Sequence, residues 1–149
     1  MQLYRGVLAA SATLLAAAIG GCGNGASGHV PHVDDMPTFE EKVLQSDRPV
    51  LVDFYKDNCP PCRRLAPHIA RIHEDYEGRA RVYKVHNRTA RDAIRHFEVT
   101  AFPTVMLFHE GRAVKRWVGL RDEATYRDAL DAALAGEYDR TPTTKGTDS

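Results

Sequence analysis

The stretch from Leu51 to Pro67 reads LVDFYKDNCPPCRRLAP: an apolar run broken by one aspartate, then two cysteines bracketing two prolines. With Pro49 and Val50 in front, the run is apolar enough to be a strand buried on both faces. Beyond Cys59, the residues Leu65, Ile69, Ile72 and Tyr76 recur at helical spacing, and Gly78 stops the pattern. Pro67 sits inside that helix and is expected to kink it. A C-x-x-C between a strand and a helix has three possible uses: a redox couple, half of a metal site, or a structural disulfide. Each needs different company elsewhere in the chain.

Structural zinc needs four ligands, commonly two cysteine pairs or cysteines with histidines. The sequence has no second pair, and no histidines at finger-like spacing. His29 and His32, in HVPH, read as solvated linker, and His68, His73, His86, His96 and His109 as core-edge or surface residues. No metal and no other cofactor is therefore expected. A purely structural disulfide is also weak, because closing so short a loop removes little entropy from the unfolded chain. C-x-x-C near a βαβ pattern reads instead as a redox motif.

The rest of the chain supplies that pattern. TFEEKVLQS opens with Thr38 and Glu41 in capping-box spacing, so a helix is expected to begin there. ARVYKVHN is a strand and TARDAIRHFE a short helix. TVMLFHEGRAVKRWVG is a hairpin turning at Glu110-Gly111. A last helix spans about Asp122 to Ala135 with Tyr126, Leu130, Ala133 and Leu134 inward. The order α-β-α-β-α-β-β-α predicts an α/β fold, a central mixed sheet flanked by helices on both faces.

At 149 residues the chain holds one domain with appendages. Twenty basic side chains balance twenty acidic ones, which gives no reason to expect a nucleic-acid partner. The N-terminus, MQLYRGVLAASATLLAAAIGGC, has one charge at Arg5, an apolar stretch from Gly6 to Ile19, then small residues and Cys22. That layout is a secretory signal, too short to span a membrane comfortably. The ending IGGC resembles the lipobox of bacterial lipoproteins, which implies cleavage before Cys22 and acylation of it. A plain signal peptide cut near Ala18, or an uncleaved anchor, does not explain the cysteine after Gly20-Gly21. Several acyl chains make a lasting anchor where one is marginal. The expected organisation is a signal peptide over 1–21, lipidated Cys22 and a flexible tether over 22–37, a folded domain over 38–136 and a disordered tail over 137–149. Cys59 and Cys62 then stand outside the cytoplasm, where disulfides persist.

Cys59 is expected where strand meets helix, at the positive end of the helix macrodipole, which favours a thiolate. Arg63 and Arg64 add positive charge nearby. Pro60 and Pro61 suit a first helical turn but carry no N–H, so amide donors to the Cys59 sulfur begin at Cys62. Cys62, one turn deeper, is placed to attack a mixed disulfide on Cys59.

Over roughly Thr38 to Gly136 the chain resembles thioredoxin. VDFYKDNCPPCRRLAP is similar to that family's active-site segment, including the proline five residues after the second cysteine. FPT (Phe102, Pro103, Thr104) resembles its cis-proline loop, and LFHEGRAVKRWVG its closing hairpin, ending in Gly119. The resemblance implies a thioredoxin fold and a thiol–disulfide oxidoreductase. It makes Cys59 the nucleophile, Cys62 the resolving thiol, Asp53 a buried proton acceptor and Lys84 the lysine near it. Burying a carboxylate in an apolar strand is costly and raises its pKa, which suits that role. Asn58, Pro60, Pro61, Phe102, Pro103 and Gly119 would line the substrate groove. Tyr55 and Asn58 replace the family's usual tryptophans, Phe102 a smaller aliphatic residue and Pro60 a glycine, all around the docking surface. The expected partners are protein disulfides and an upstream thiol reductant, with the chain a monomer. The competing readings are a Cu(I) metallochaperone holding the metal between two soft thiolates, and a disulfide oxidase or isomerase, which differs in redox poise.

Overall fold

The computed structural model describes residues 29–139. The signal sequence, Cys22, the first part of the tether and the tail beyond Asp139 lie outside them. Strand β1 (Val50–Tyr55) is central in a four-stranded sheet of order β2-β1-β3-β4, where β2 is Arg81–His86, β3 Thr104–His109 and β4 Arg112–Val118. β1 runs parallel to β2 and antiparallel to β3, and β4 closes the hairpin. Helices α1 (Met36–Phe39, continuing as a π-helical turn Glu40–Leu44), α2 (Pro60–Asp75), α3 (Arg91–His96) and α4 (Glu123–Leu134) complete the expected order.

Alternation along β1 sends successive side chains to opposite faces. Val50, Val52 and Phe54 meet Phe39 and Val43 of the first helical segment, and Ala93 of α3. There the ring of Phe39 lies 4.9 Å from that of Phe97 and 5.4 Å from that of Phe108. Leu51, on the other face, packs with Leu65, Ile69 and Ile72 of α2 and Tyr126 and Leu130 of α4. Both faces are covered, so the strand is apolar throughout apart from Asp53. That residue lies on the α2 side with Leu51. On β2, Val82 belongs to this face, so the register pair Asp53 and Lys84 shares it.

The hairpin turn has φ of 49° at Glu110 and 74° at Gly111. Two positive values in succession are what a two-residue hairpin of primed type demands. Gly111 is required twice over, since a Cβ there would stand 2.7 Å from the Leu44 carbonyl oxygen.

Four expectations need correction. The first helix is capped by Asp35, whose carboxylate accepts the Thr38 N–H at 2.7 Å. Asp caps as well as Thr does, and Pro37 fits a first turn whose amides need no helical partner. The tether does not extend to Pro37: Val30 and Val33 are buried. The Val33 N–H donates to the Lys84 carbonyl at 2.9 Å and the Lys84 N–H to that of Pro31 at 3.0 Å, so this segment covers the free edge of β2. In α4 the inward set is Tyr126, Ala129, Leu130 and Ala133, while Leu134 is exposed. The domain also runs past residue 136, because Tyr138 packs half-buried against the α2–α4 cluster.

Candidate active site

Cys59 is the N-cap of α2, with Pro60 and Pro61 in the first turn. Neither proline offers an amide, and the first available donor, the Cys62 N–H, points at the Cys59 sulfur at 3.3 Å. Cys59 and Cys62 form a disulfide with Cα atoms 5.2 Å apart. Accessibility does not rank the two cysteines as expected. Cys59 is 4% exposed and Cys62 6%, so the asymmetry between them lies in the cap position rather than in depth.

The Phe102 carbonyl oxygen lies 3.8 Å from the Cys59 sulfur, and the Phe102–Pro103 peptide is cis. Pro103 is buried and Phe102 half-buried. The loop is closed by Thr104, whose hydroxyl donates to the Ala101 carbonyl at 2.8 Å. It is tied to the end of β4 by the Gly119 N–H, which donates to the Pro103 carbonyl at 2.8 Å. Gly119 has φ of 80°, a left-handed value that a side chain disfavours although there is space for one. Asn58, exposed with φ of 51°, makes the turn into Cys59, and Asn is among the few residues that tolerate that region. Pro60 is exposed and Pro61 half-buried. Cys59, Asn58, Pro60, Pro61, Phe102, Pro103 and Gly119 therefore come from the segments meeting at this end of the sheet.

Asp53 is 1% exposed, and neither carboxylate oxygen has a hydrogen-bond partner among the described residues. Burial pushes its pKa up to about 7, against a smaller downward pull from Lys84. A carboxyl titrating near neutrality can accept a proton at one stage of a reaction and release it at another. Lys84 is beside it in register but forms no ion pair among the described residues. Its ammonium lies 4.3 Å from the centroid of the Tyr55 ring.

The sequence did not reveal four pairings at this edge. His86 Nε2 lies 3.3 Å from Asp57 Oδ1, and Arg88 also pairs with Asp57. The Lys56 ammonium lies 5.8 Å from the centroid of the Phe102 ring. The Arg121 guanidinium stands against Gly119, 3.8 Å from where a Cβ would be. Lys56 and Asp57 follow β1 directly, which was the one available signal that they belong to the site's rim.

The thioredoxin family model matches residues 30–132. Thioredoxin 1 of Nostoc sp. is 37% identical over 97 residues, covering 65% of this chain and 91% of that protein. A thioredoxin of Pseudomonas aeruginosa is 35% identical over 108 residues, covering 72% of this chain and 99% of its own length. Among solved structures, a thioredoxin of Malassezia sympodialis superposes with a TM-score of 0.64 at 23% identity, over 72% of this chain and 92% of that one, which speaks to the fold. The match begins at Val30, the first buried residue among those described, and takes in every segment that builds the cysteine site. The chain belongs to the thioredoxin family and is a protein disulfide oxidoreductase.

Proposed function

We propose that this is an exported, membrane-tethered reductant of protein disulfides. The Cys59 thiolate attacks a substrate disulfide, forming a mixed disulfide and releasing one substrate sulfur, which takes up a proton. Cys62 loses its proton to Asp53 and attacks the Cys59 sulfur. The second substrate sulfur leaves, and Cys59–Cys62 closes as the disulfide, having passed two electrons. An upstream thiol reductant must then restore the dithiol. The observation that carries this reading is the position of Cys59: an N-cap sulfur receiving the Cys62 amide, beside the Phe102 carbonyl. Export and tethering are supported by the N-terminal layout ending in Gly20-Gly21-Cys22.

Direction of electron flow is the testable part. The helix terminus and Arg63 stabilise the thiolate and make the couple more oxidising. The amide-less Pro60 and Pro61 act the other way. Equilibration with glutathione buffers is expected to give a potential of roughly −270 to −180 mV. A value near roughly −120 mV is that of an oxidant and overturns the reductase reading. For the tether, the full chain expressed in a bacterial host should incorporate labelled palmitate, and Cys22→Ser should abolish the label. Equal labelling of both would remove the lipid anchor.

A further inference from the structure

Charge at the mouth of the site is one-sided, although the chain as a whole is neutral. The segments that frame the disulfide, residues 56–64, 102–104 and 119–122, carry Lys56, Arg63, Arg64 and Arg121 against Asp57 and Asp122. Asp57 is already engaged by Arg88 and His86. Among the described residues none of the four cations has a carboxylate partner, and all four are exposed. Two of them are placed rather than merely nearby. The Lys56 ammonium rests 5.8 Å from the centroid of the Phe102 ring, within the range of cation–π attraction, and the Phe102 carbonyl is 3.8 Å from the Cys59 sulfur. Arg121 donates to its neighbour's carbonyl, on Leu120, at 3.0 Å, and its guanidinium lies over Gly119, which is bonded to Pro103. One cation thus stands on each side of the Phe102-Pro103 loop.

We infer that this groove selects substrate disulfides carried on acidic segments, with Lys56 and Arg121 as its specificity-determining residues. An extended chain lying along the loop brings the residues flanking its disulfide past both cations. Carboxylates there meet unpaired positive charge, whereas lysines meet repulsion. Complementary charge of this kind acts mainly on encounter and on exclusion of wrong partners. The inference rests on the oxidoreductase reading, so its test needs a neutral reference.

The probes are three peptides with the same internal disulfide, flanked by aspartates, by serines or by lysines, reduced by the pre-reduced full chain. The acidic peptide is expected to exceed the lysine peptide in kcat/KM by roughly tenfold at low salt, with the serine peptide between. The ratio should collapse toward one at about 0.5 M salt, where screening shortens to a few ångströms. Lys56→Glu and Arg121→Glu should each cut the ratio roughly threefold, as expected for single exposed charges. Arg79→Glu makes the same change in net charge at the opposite end of α2 and should leave the ratio unchanged. Equal rates for all three peptides, or a ratio that responds to Arg79→Glu as it does to Lys56→Glu, overturns the inference while leaving the enzyme reading intact. If the serine peptide is not reduced at all, the enzyme reading itself fails.

Discussion

Replacing Cys59 with serine should abolish disulfide reduction, while replacing Cys62 with serine should leave a protein that captures substrates and cannot release them. The two cysteines are nearly equal in exposure, so the difference comes from their electrostatic positions. The Cys59 sulfur faces the positive end of a sixteen-residue helix and receives the Cys62 N–H at 3.3 Å. Both interactions favour its thiolate. Cys62 is equally buried but lies inside the helix, away from the cap position that stabilises the Cys59 sulfur. Cys59→Ser removes the sulfur so activated, and losing a nucleophile costs several orders of magnitude in turnover. Cys62→Ser retains the attack and removes the resolution, so mixed disulfides on Cys59 should accumulate and survive non-reducing electrophoresis. In the reduced parent protein, rates of iodoacetamide alkylation across pH should show Cys59 titrating below Cys62. Equal titration of both thiols would remove the assignment.

The second large effect is expected at Asp53. Its carboxyl is raised from 3.8 to about 7 by burial, so between those values the folded protein holds a proton that the unfolded chain has released. Stability from this group therefore falls as pH rises from about 4 to 7, and the full cost of ionisation is present above it. The rise corresponds to roughly 4 kcal/mol, since one pKa unit is worth about 1.4 kcal/mol. Asp53→Asn carries no charge at any pH. Its stability advantage over the parent should be small near pH 4.5 and grow to a few kcal/mol at pH 8.5, read by urea denaturation of the oxidised proteins. Without the proton acceptor, resolution of the mixed disulfide near neutral pH should slow by roughly a hundredfold. A variant that is less stable at pH 8.5 and fully active would make Asp53 a structural residue only.

Local chemistry explains what was legible in the sequence. β1 and α2 were readable because a continuous apolar run, an N-cap cysteine, two prolines and Gly78 each carry a local physical reason. Cys59, Cys62, Asp53, Pro103 and Gly119 could be placed because their motifs occur in order around that run. The start of α1 was displaced because Asp35 and Thr38 are both good caps and only the folded chain chooses between them. Val30 and Val33 were lost in a Gly- and Pro-rich segment, since burial there depends on the distant backbone of Lys84. Lys56 against Phe102, and His86 with Asp57, are likewise long-range pairings that no local pattern announces. Leu134 fits the helical period but falls at the last residue of α4, where the core no longer covers that face.

The most direct test of a Cys59–Cys62 reductant is a single turnover. The fully reduced chain is mixed with an equimolar disulfide-bonded protein, quenched by acid, and read by mass spectrometry and thiol counting. Two new substrate thiols should form for each Cys59–Cys62 disulfide, after a transient mixed disulfide located on Cys59. Failure to transfer electrons, together with stoichiometric retention of Cu(I) by the same dithiol, would contradict the oxidoreductase and identify a metal carrier instead.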